Sequence, residues 1–196
     1  MTGQDVDQGG SVGSIVVSQF VTVDGVIEDP GGSEGMERGG WALQFNRGED
    51  GDKFKLDELM ESSALLLGRK TYEGFAAAWP SREGDFADKF NTMPKYVVSS
   101  TLSDPEWSNS TVIGTDDLTN LKDDEDGVIL VNGSRRLVDE LVEQGLVDEF
   151  RLMVFPVVLG KGKQLFGDTS ATKALELVES RPVGAEGVLV LVYRPK

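Results

Sequence analysis

Residues 127–146, GVILVNGSRRLVDELVEQGL, constrain the fold more than any other stretch, because the side-chain period changes there across one glycine. Residues 128–131 are apolar and mostly β-branched, which suits a strand buried on both faces. Asn132-Gly133-Ser134 breaks that run, and the glycine permits a tight turn or a close backbone approach by a ligand. Beyond Ser134, Leu137, Val138, Leu141 and Val142 recur at helical spacing, with Arg135, Arg136, Asp139, Glu140 and Glu143 on the other side. Gly145 stops the helix and Leu146 supplies the apolar residue expected past a glycine cap. A helix N-terminus offers unpaired N–H groups and a positive dipole end, so this turn is either an ordinary connection with solvated arginines or an anion site.

The pattern recurs. Residues 64–67 are wholly apolar and end in Gly68-Arg69-Lys70-Thr71, after which 72–78 read as helix. A third strand over 95–99 ends in the hydroxyls Ser99, Ser100 and Thr101. The remaining expectations are a first strand over 15–20, helices over 52–61, 84–91 and 118–122, and a strand over 111–114. From 148 the alternation with helices ceases. Strands over 148–155, 174–179 and 188–193 predict an antiparallel end to a mainly parallel sheet, hence an α/β domain.

Ligands of open α/β sheets bind outside the carboxyl ends of the parallel strands. The groups at 68–71, 99–101 and 133–136 therefore fall on one rim and fit several phosphates of one extended nucleotide. Arg69 and Lys70 suit an extra phosphate such as the 2′-phosphate of NADP. Gly160-Lys161-Gly162-Lys163 lacks the spacing of a phosphate loop, and no G-x-G-x-x-G follows the first strand.

Composition removes other chemistries. The chain has no cysteine and no histidine, which excludes disulfides, thiolate nucleophiles, thiolate zinc sites and imidazole acid–base catalysis; no metal site is expected. Any proton transfer falls to a carboxylate, Lys, Tyr or water. With 34 acidic against 19 basic residues, a net charge of -15, a nucleic-acid or anionic-membrane partner is disfavoured. Residues 1–14 lack the basic start and apolar core of a signal peptide and read as a flexible tail before one domain over 15–196. A cytoplasmic protein is the expectation.

The glycine-dense segment from Gly31 to Gly51 carries Trp41, Leu43 and Phe45. Trp41 and Phe45 either stack on a flat heterocyclic substrate or pack in the core. Asp24-Gly25 is a turn signal.

Together, Asp24-Gly25, Gly68-Arg69-Lys70-Thr71-Tyr72-Glu73, Asn132-Gly133-Ser134, Leu146-Val147-Asp148-Glu149, Pro156-Val157-Val158-Leu159-Gly160 and Leu165-Phe166-Gly167 resemble the dihydrofolate-reductase-like superfamily. They are most similar to the branch named for the carboxyl-terminal reductase domain of the bifunctional riboflavin-biosynthesis deaminase/reductase. The resemblance implies an eight-stranded, mostly parallel sheet with flanking helices and a carboxyl-terminal antiparallel hairpin. It also implies NADPH as cofactor, a homodimer, and hydride transfer to a pterin-, folate- or riboflavin-precursor-like substrate. By position, Arg69, Lys70 and Thr71 hold phosphates, Ser99 and Ser100 lie near the adenosine phosphate, Gly133, Ser134 and Arg135 line the pyrophosphate, and Asn132 is a further cofactor-binding position. Asp24 and Gly25 cover the nicotinamide. Asp52 stands where folate reductases carry the substrate carboxylate, and is either that proton donor or a helix N-cap; Asp24 is either a second catalytic carboxylate or a turn former. A non-catalytic NADPH-binding sensor on the same scaffold is the alternative.

Overall fold

The computed structural model describes residues 12–196. Of the tail expected over 1–14, residues 1–11 lie outside the described part; the Gly13 N–H already donates to the Lys122 carbonyl, and Ser14 opens the first strand.

Eight strands form one sheet: β1 (Ser14–Thr22), β2 (Ser62–Gly68), β3 (Lys95–Val98), β4 (Ser110–Ile113), β5 (Val128–Asn132), β6 (Glu149–Phe155), β7 (Leu175–Val183) and β8 (Val188–Pro195), in the order β4-β3-β2-β5-β1-β6-β8-β7. Every pairing from β4 to β6 is parallel, and β8 and β7 close the sheet antiparallel. Five α-helices flank it: α1 (Gly48–Glu61), α2 (Arg69–Ala78), α3 (Asp85–Thr92), α4 (Leu118–Asp124) and α5 (Arg135–Gln144). The apolar runs at 64–67 and 128–131 fall in the interior strands β2 and β5, where both faces are covered. β7, at the edge, is exposed along most of its length and carries Glu176, Glu179, Arg181 and Pro182, the residue types that discourage edge pairing.

Alternation along β1 divides the core. Ile15, Val17 and Val21 face α4 and α5, packing with Leu118, Leu137 and Leu141. Val16 faces α1 and packs with Leu59, Leu65 and Leu130. The α5 terminus is capped as expected: Gly145 has φ 69°, its N–H donates to Val142, and the Leu146 N–H reaches back to Leu141 at 2.9 Å.

Two expectations change here. α1 starts a turn before Asp52; Arg47 precedes its first residue, and Asp52 sits in the second turn, exposed and paired with Arg47 Nε at 2.6 Å. Asp52 is therefore not an N-cap. Helical spacing would also give this helix an apolar side of Leu56, Leu59 and Met60, but of these only Leu59 is buried, together with Gly51, Lys55 and Glu58, while Leu56 is half-buried and Met60 exposed. The reason lies on the sheet: β1 presents Ser18 among apolar neighbours, and the Lys55 stem packs along the face while its Nζ reaches Ser18 Oγ at 2.5 Å.

Trp41 is fully buried, its ring edge-on to Phe155 at 5.5 Å and its Nε1 donating to the Glu28 carbonyl at 2.9 Å. Truncating such a ring to alanine costs about 3–5 kcal/mol. Trp41 is thus a core residue; Phe45, half-buried, lies 6.1 Å from the same Phe155 ring. The segment before them is ordered by Asp29, a buried residue at φ 51° whose carboxylate accepts from the N–H groups of Glu34 and Met36, both at 3.0 Å.

Candidate active site

The carboxyl ends of β3, β2, β5 and β1 stand side by side on one rim. β1 pairs with β5 only as far as Ser18 opposite Asn132, whereas its pairing with β6 continues to Thr22 opposite Phe155. A split therefore opens between β1 and β5 above Ser18 and Asn132. The helix that follows β1 covers one face and the helix that follows β5 covers the other, the arrangement that creates a ligand crevice in open α/β sheets. Gln19 Nε2 crosses the split to the Gly133 carbonyl at 2.6 Å.

Two glycine turns interlock beside it. The Gly68 N–H donates to Ser134 Oγ at 2.8 Å, and the Ser134 N–H donates to Thr71 Oγ1 at 2.9 Å. Gly133 and Ser134 are both left-handed, with φ 57° and 53°. A Cβ at Gly133 would stand 3.1 Å from Thr71 Oγ1, so the glycine is required by close approach as well as by conformation. Neither α2 nor α5 has a side-chain hydrogen bond at its N-cap, so their first-turn amides face the same rim uncapped. This is the donor set that phosphate oxygens take.

The side chains expected to bind phosphate are used unequally. Arg69 Nη1 donates to Thr101 Oγ1 at 2.6 Å and its Nε pairs with Glu73, tying α2 to the end of β3. Lys70 is exposed. Ser99 Oγ accepts from the Thr101 and Leu102 amides, and Ser100 is exposed. Arg135 turns away, donating to the Gln164 carbonyl and pairing with Asp139, and burial pulls its guanidinium below the ordinary value. Its backbone rather than its side chain remains for an anion.

Asp24 is fully engaged. Its carboxylate accepts from Thr22 Oγ1 at 2.6 Å and from the Gly160 and Leu159 amides at 2.7 and 3.2 Å. The Thr22 hydrogen bond leads in holding its carboxyl below the usual range, with the two amides helping. It locks the β1 turn, with Gly25 at φ 84°, to the loop after β6. That loop also holds the glycine-rich segment through Arg38 on the Leu159 carbonyl and the ion pair Lys161–Glu37, and holds Glu28 just ahead of it through Lys163.

Beneath α1, next to the split, lies a polar group that sequence periodicity did not show. Lys55 Nζ donates to Ser18 and pairs with Glu58, whose side chain is 1% exposed. Glu58 Oε1 and Asn132 Nδ2 are buried without hydrogen-bond partners among the described residues. The signal available was two charges three residues apart on the face α1 needed for packing. Two open hollows of about 420 and 320 Å³ lie toward the amino ends of β1 and β6, around Glu149, Arg151 and Arg194, the second lined in part by Glu58. They are shallow, far from the uncapped helix ends, and do not mark the rim. No group of acidic residues that could hold a metal occurs among the described residues.

Sheet order, crevice and interlocked turns define an α/β fold of the dihydrofolate-reductase type. Residues 14–189 match the RibD C-terminal domain, and the chain belongs to that family. It is 31% identical to the uncharacterized protein YyaP of Bacillus subtilis strain 168 over 91% of this chain and 93% of that protein. Among solved structures it resembles a Shewanella sp. PV-4 protein put forward as a riboflavin biosynthesis protein (TM-score 0.71, 18% identity, 93% of this chain and 99% of that one). It also resembles Enterococcus faecalis dihydrofolate reductase complexed with NADP(H) and RAB-propyl (TM-score 0.62, 16% identity, 93% and 96% covered). At these identities the structural likeness is one of fold. No described helix is long and apolar enough to cross a membrane.

Proposed function

We propose that this chain is an NADPH-dependent reductase that transfers a hydride to a small heterocyclic substrate of the pterin, folate or riboflavin-precursor kind. The carrying observation is the pair of interlocked turns, Gly68 to Ser134 and Ser134 to Thr71, which directs two uncapped helix N-termini at one rim. The left-handed Gly133-Ser134 pair forms a backbone concavity that a pyrophosphate fits. Arg69 and Lys70 would hold the cofactor's extra phosphate, Thr71 and Ser134 would fix the turns, and Ser99 and Ser100 would border the adenosine end. Gly25 would border the nicotinamide, Gly133 would line the pyrophosphate turn with Asn132 just before it, and Arg135 would contribute its backbone N–H. NADPH supplies hydride; the protein supplies orientation and electrostatics. Phe45 would face the substrate from the glycine-rich segment. Homodimerisation and a cytoplasmic setting belong to the same proposal.

Titration with NADPH and NADH, followed by loss of NADPH absorbance with dihydropterin, dihydrofolate and pyrimidine substrates, tests it. Expected are binding of NADPH at least tenfold tighter than NADH, and turnover with one substrate class. Tight binding without turnover on any of them favours the sensor, and failure to bind NADPH overturns both.

A further inference from the structure

We propose that Ser18 and Asn132, backed by the Lys55 ammonium, form the subsite for the substrate heteroatom that gains negative charge when the ring is reduced: the oxygen or nitrogen of a conjugated C=O or C=N group. The proposal deepens the reductase reading and rests on it for the guest's identity.

The geometry comes from three elements. Ser18 and Asn132 are register partners in parallel strands and, by alternation with Val16 and Leu130, project from the face covered by α1. They are the last paired residues before β1 and β5 part, so they floor the split. Lys55 Nζ donates to Ser18 Oγ at 2.5 Å, which directs the serine's own proton away from the lysine. Asn132 Nδ2 is a buried donor with no acceptor. Two neutral donors thus sit adjacent at the base of the crevice with a cation behind one of them. The cation is fixed by Glu58, three residues on, which prevents Lys55 from swinging into the crevice.

A buried amide N–H left unpaired is costly, so Asn132 Nδ2 calls for an acceptor, which the substrate heteroatom would supply. The two donors at the floor, Ser18 Oγ–H and Asn132 Nδ2–H, favour an atom on which negative charge accumulates, and the Lys55 ammonium behind Ser18, held on its far side by Glu58, polarises the serine hydroxyl toward it. The carboxylates expected from sequence do not do this: Asp24 is saturated with donors, and Asp52 is paired at the surface. Removing one such donor from a charge-stabilising site lowers turnover by roughly 100- to 1000-fold.

Barbiturate, a planar heterocycle whose carbonyl oxygens share one negative charge at neutral pH, is the probe. In protein labelled with ¹⁵N-asparagine and saturated with NADP⁺, the side-chain amide of Asn132, assigned through Asn132→Ala, is expected to shift as barbiturate is added. Calorimetry is expected to show affinity lowered about tenfold or more in Ser18→Ala and Asn132→Ala. The same loss is expected in the double variant Lys55→Met/Glu58→Gln, which removes the cation without stranding a buried carboxylate. Lys53→Gln, on the exposed side of α1, is expected to stay within about twofold of wild type. An Asn132 amide that does not move at saturating barbiturate, or equal affinities across all these proteins, overturns the proposal. NADPH titration of the same samples keeps the two ideas apart. An Asn132 response to barbiturate alone in a protein that does not bind NADPH sinks the reductase and keeps the subsite; NADPH binding with a silent Asn132 does the reverse.

Discussion

The backbone N–H of Ser134 donates to the hydroxyl of Thr71 at 2.9 Å, joining the starts of two helices 63 positions apart in sequence. Thr71 cannot then turn its lone pairs freely to a ligand. It sets the left-handed turn at Gly133-Ser134, so the phosphate site proposed at α5 would depend on it indirectly.

Thr71→Val keeps the shape but leaves the Ser134 N–H without an acceptor. Expected are a loss of about 1–3 kcal/mol in urea unfolding and NADPH binding weakened about tenfold or more, whereas Thr71→Ser should restore both to near wild type.

Arg69 and Lys70 divide differently. Arg69 is anchored to Thr101 and Glu73 while Lys70 is exposed, so Lys70→Gln should weaken NADPH about five- to tenfold with little change in NADH. Raising the salt concentration should shrink that difference, because exposed charges are screened. Equal losses for both cofactors would remove Lys70 from the extra phosphate.

Asp24 and Asp52 can be separated by stability and turnover. Asp24→Asn should loosen the loop after β6 and lower stability, because one oxygen that accepts from N–H groups is replaced by an amide donor. In wild type the Asp24 carboxyl is held below its usual value, so its contribution is fully present above the ordinary carboxylate range and is lost as pH falls through the lower folded value. Comparing acid unfolding of wild type and Asp24→Asn checks the sign. Asp52→Asn, at an exposed helix position, should change turnover by less than about threefold, since exposed pairs contribute little; a loss of a hundredfold would make it the proton donor.

Lys95 gives an alkaline signature. It is 1% exposed, its ammonium donates to the Asn91, Met93 and Ser108 carbonyls and lies 4.4 Å over the Trp107 ring, and burial pulls it from 10.5 to about 8. Between these values the unfolded chain holds a proton that the folded chain has released, so Lys95 makes stability rise with pH. Burial, and then the Glu125 hydrogen bond, pushes Tyr96 from 10.0 up to about 12, so over that range the folded chain keeps the extra proton and stability falls. Urea midpoints across alkaline pH should rise and then fall; Lys95→Met should remove the rising limb alone, and a flat wild-type profile would contradict both assignments.

The residues of the strand–glycine–helix units determined much of this protein by themselves. An apolar run such as 128–131 is stable only with both faces covered, and Gly145 followed by Leu146 stops a helix whatever surrounds it. The antiparallel close from β6 onward was equally local, since nothing helical separates those strands. What tertiary structure decided was the use of each polar side chain. Asp52 suited an N-cap, but hairpin contacts draw α1 back a turn: the Asn46 N–H donates to Glu186 and the Gly184 N–H to Asp50. Trp41 was open to either role until Phe155, over a hundred residues away, closed over it. Lys55 and Glu58 look like solvated charges in any helical projection; a serine on β1 and the depth of the sheet turn them inward. Periodicity reports how a segment meets water or core, whereas a site is made by partners distant in sequence, and hydrogen bonds between such partners leave no local pattern.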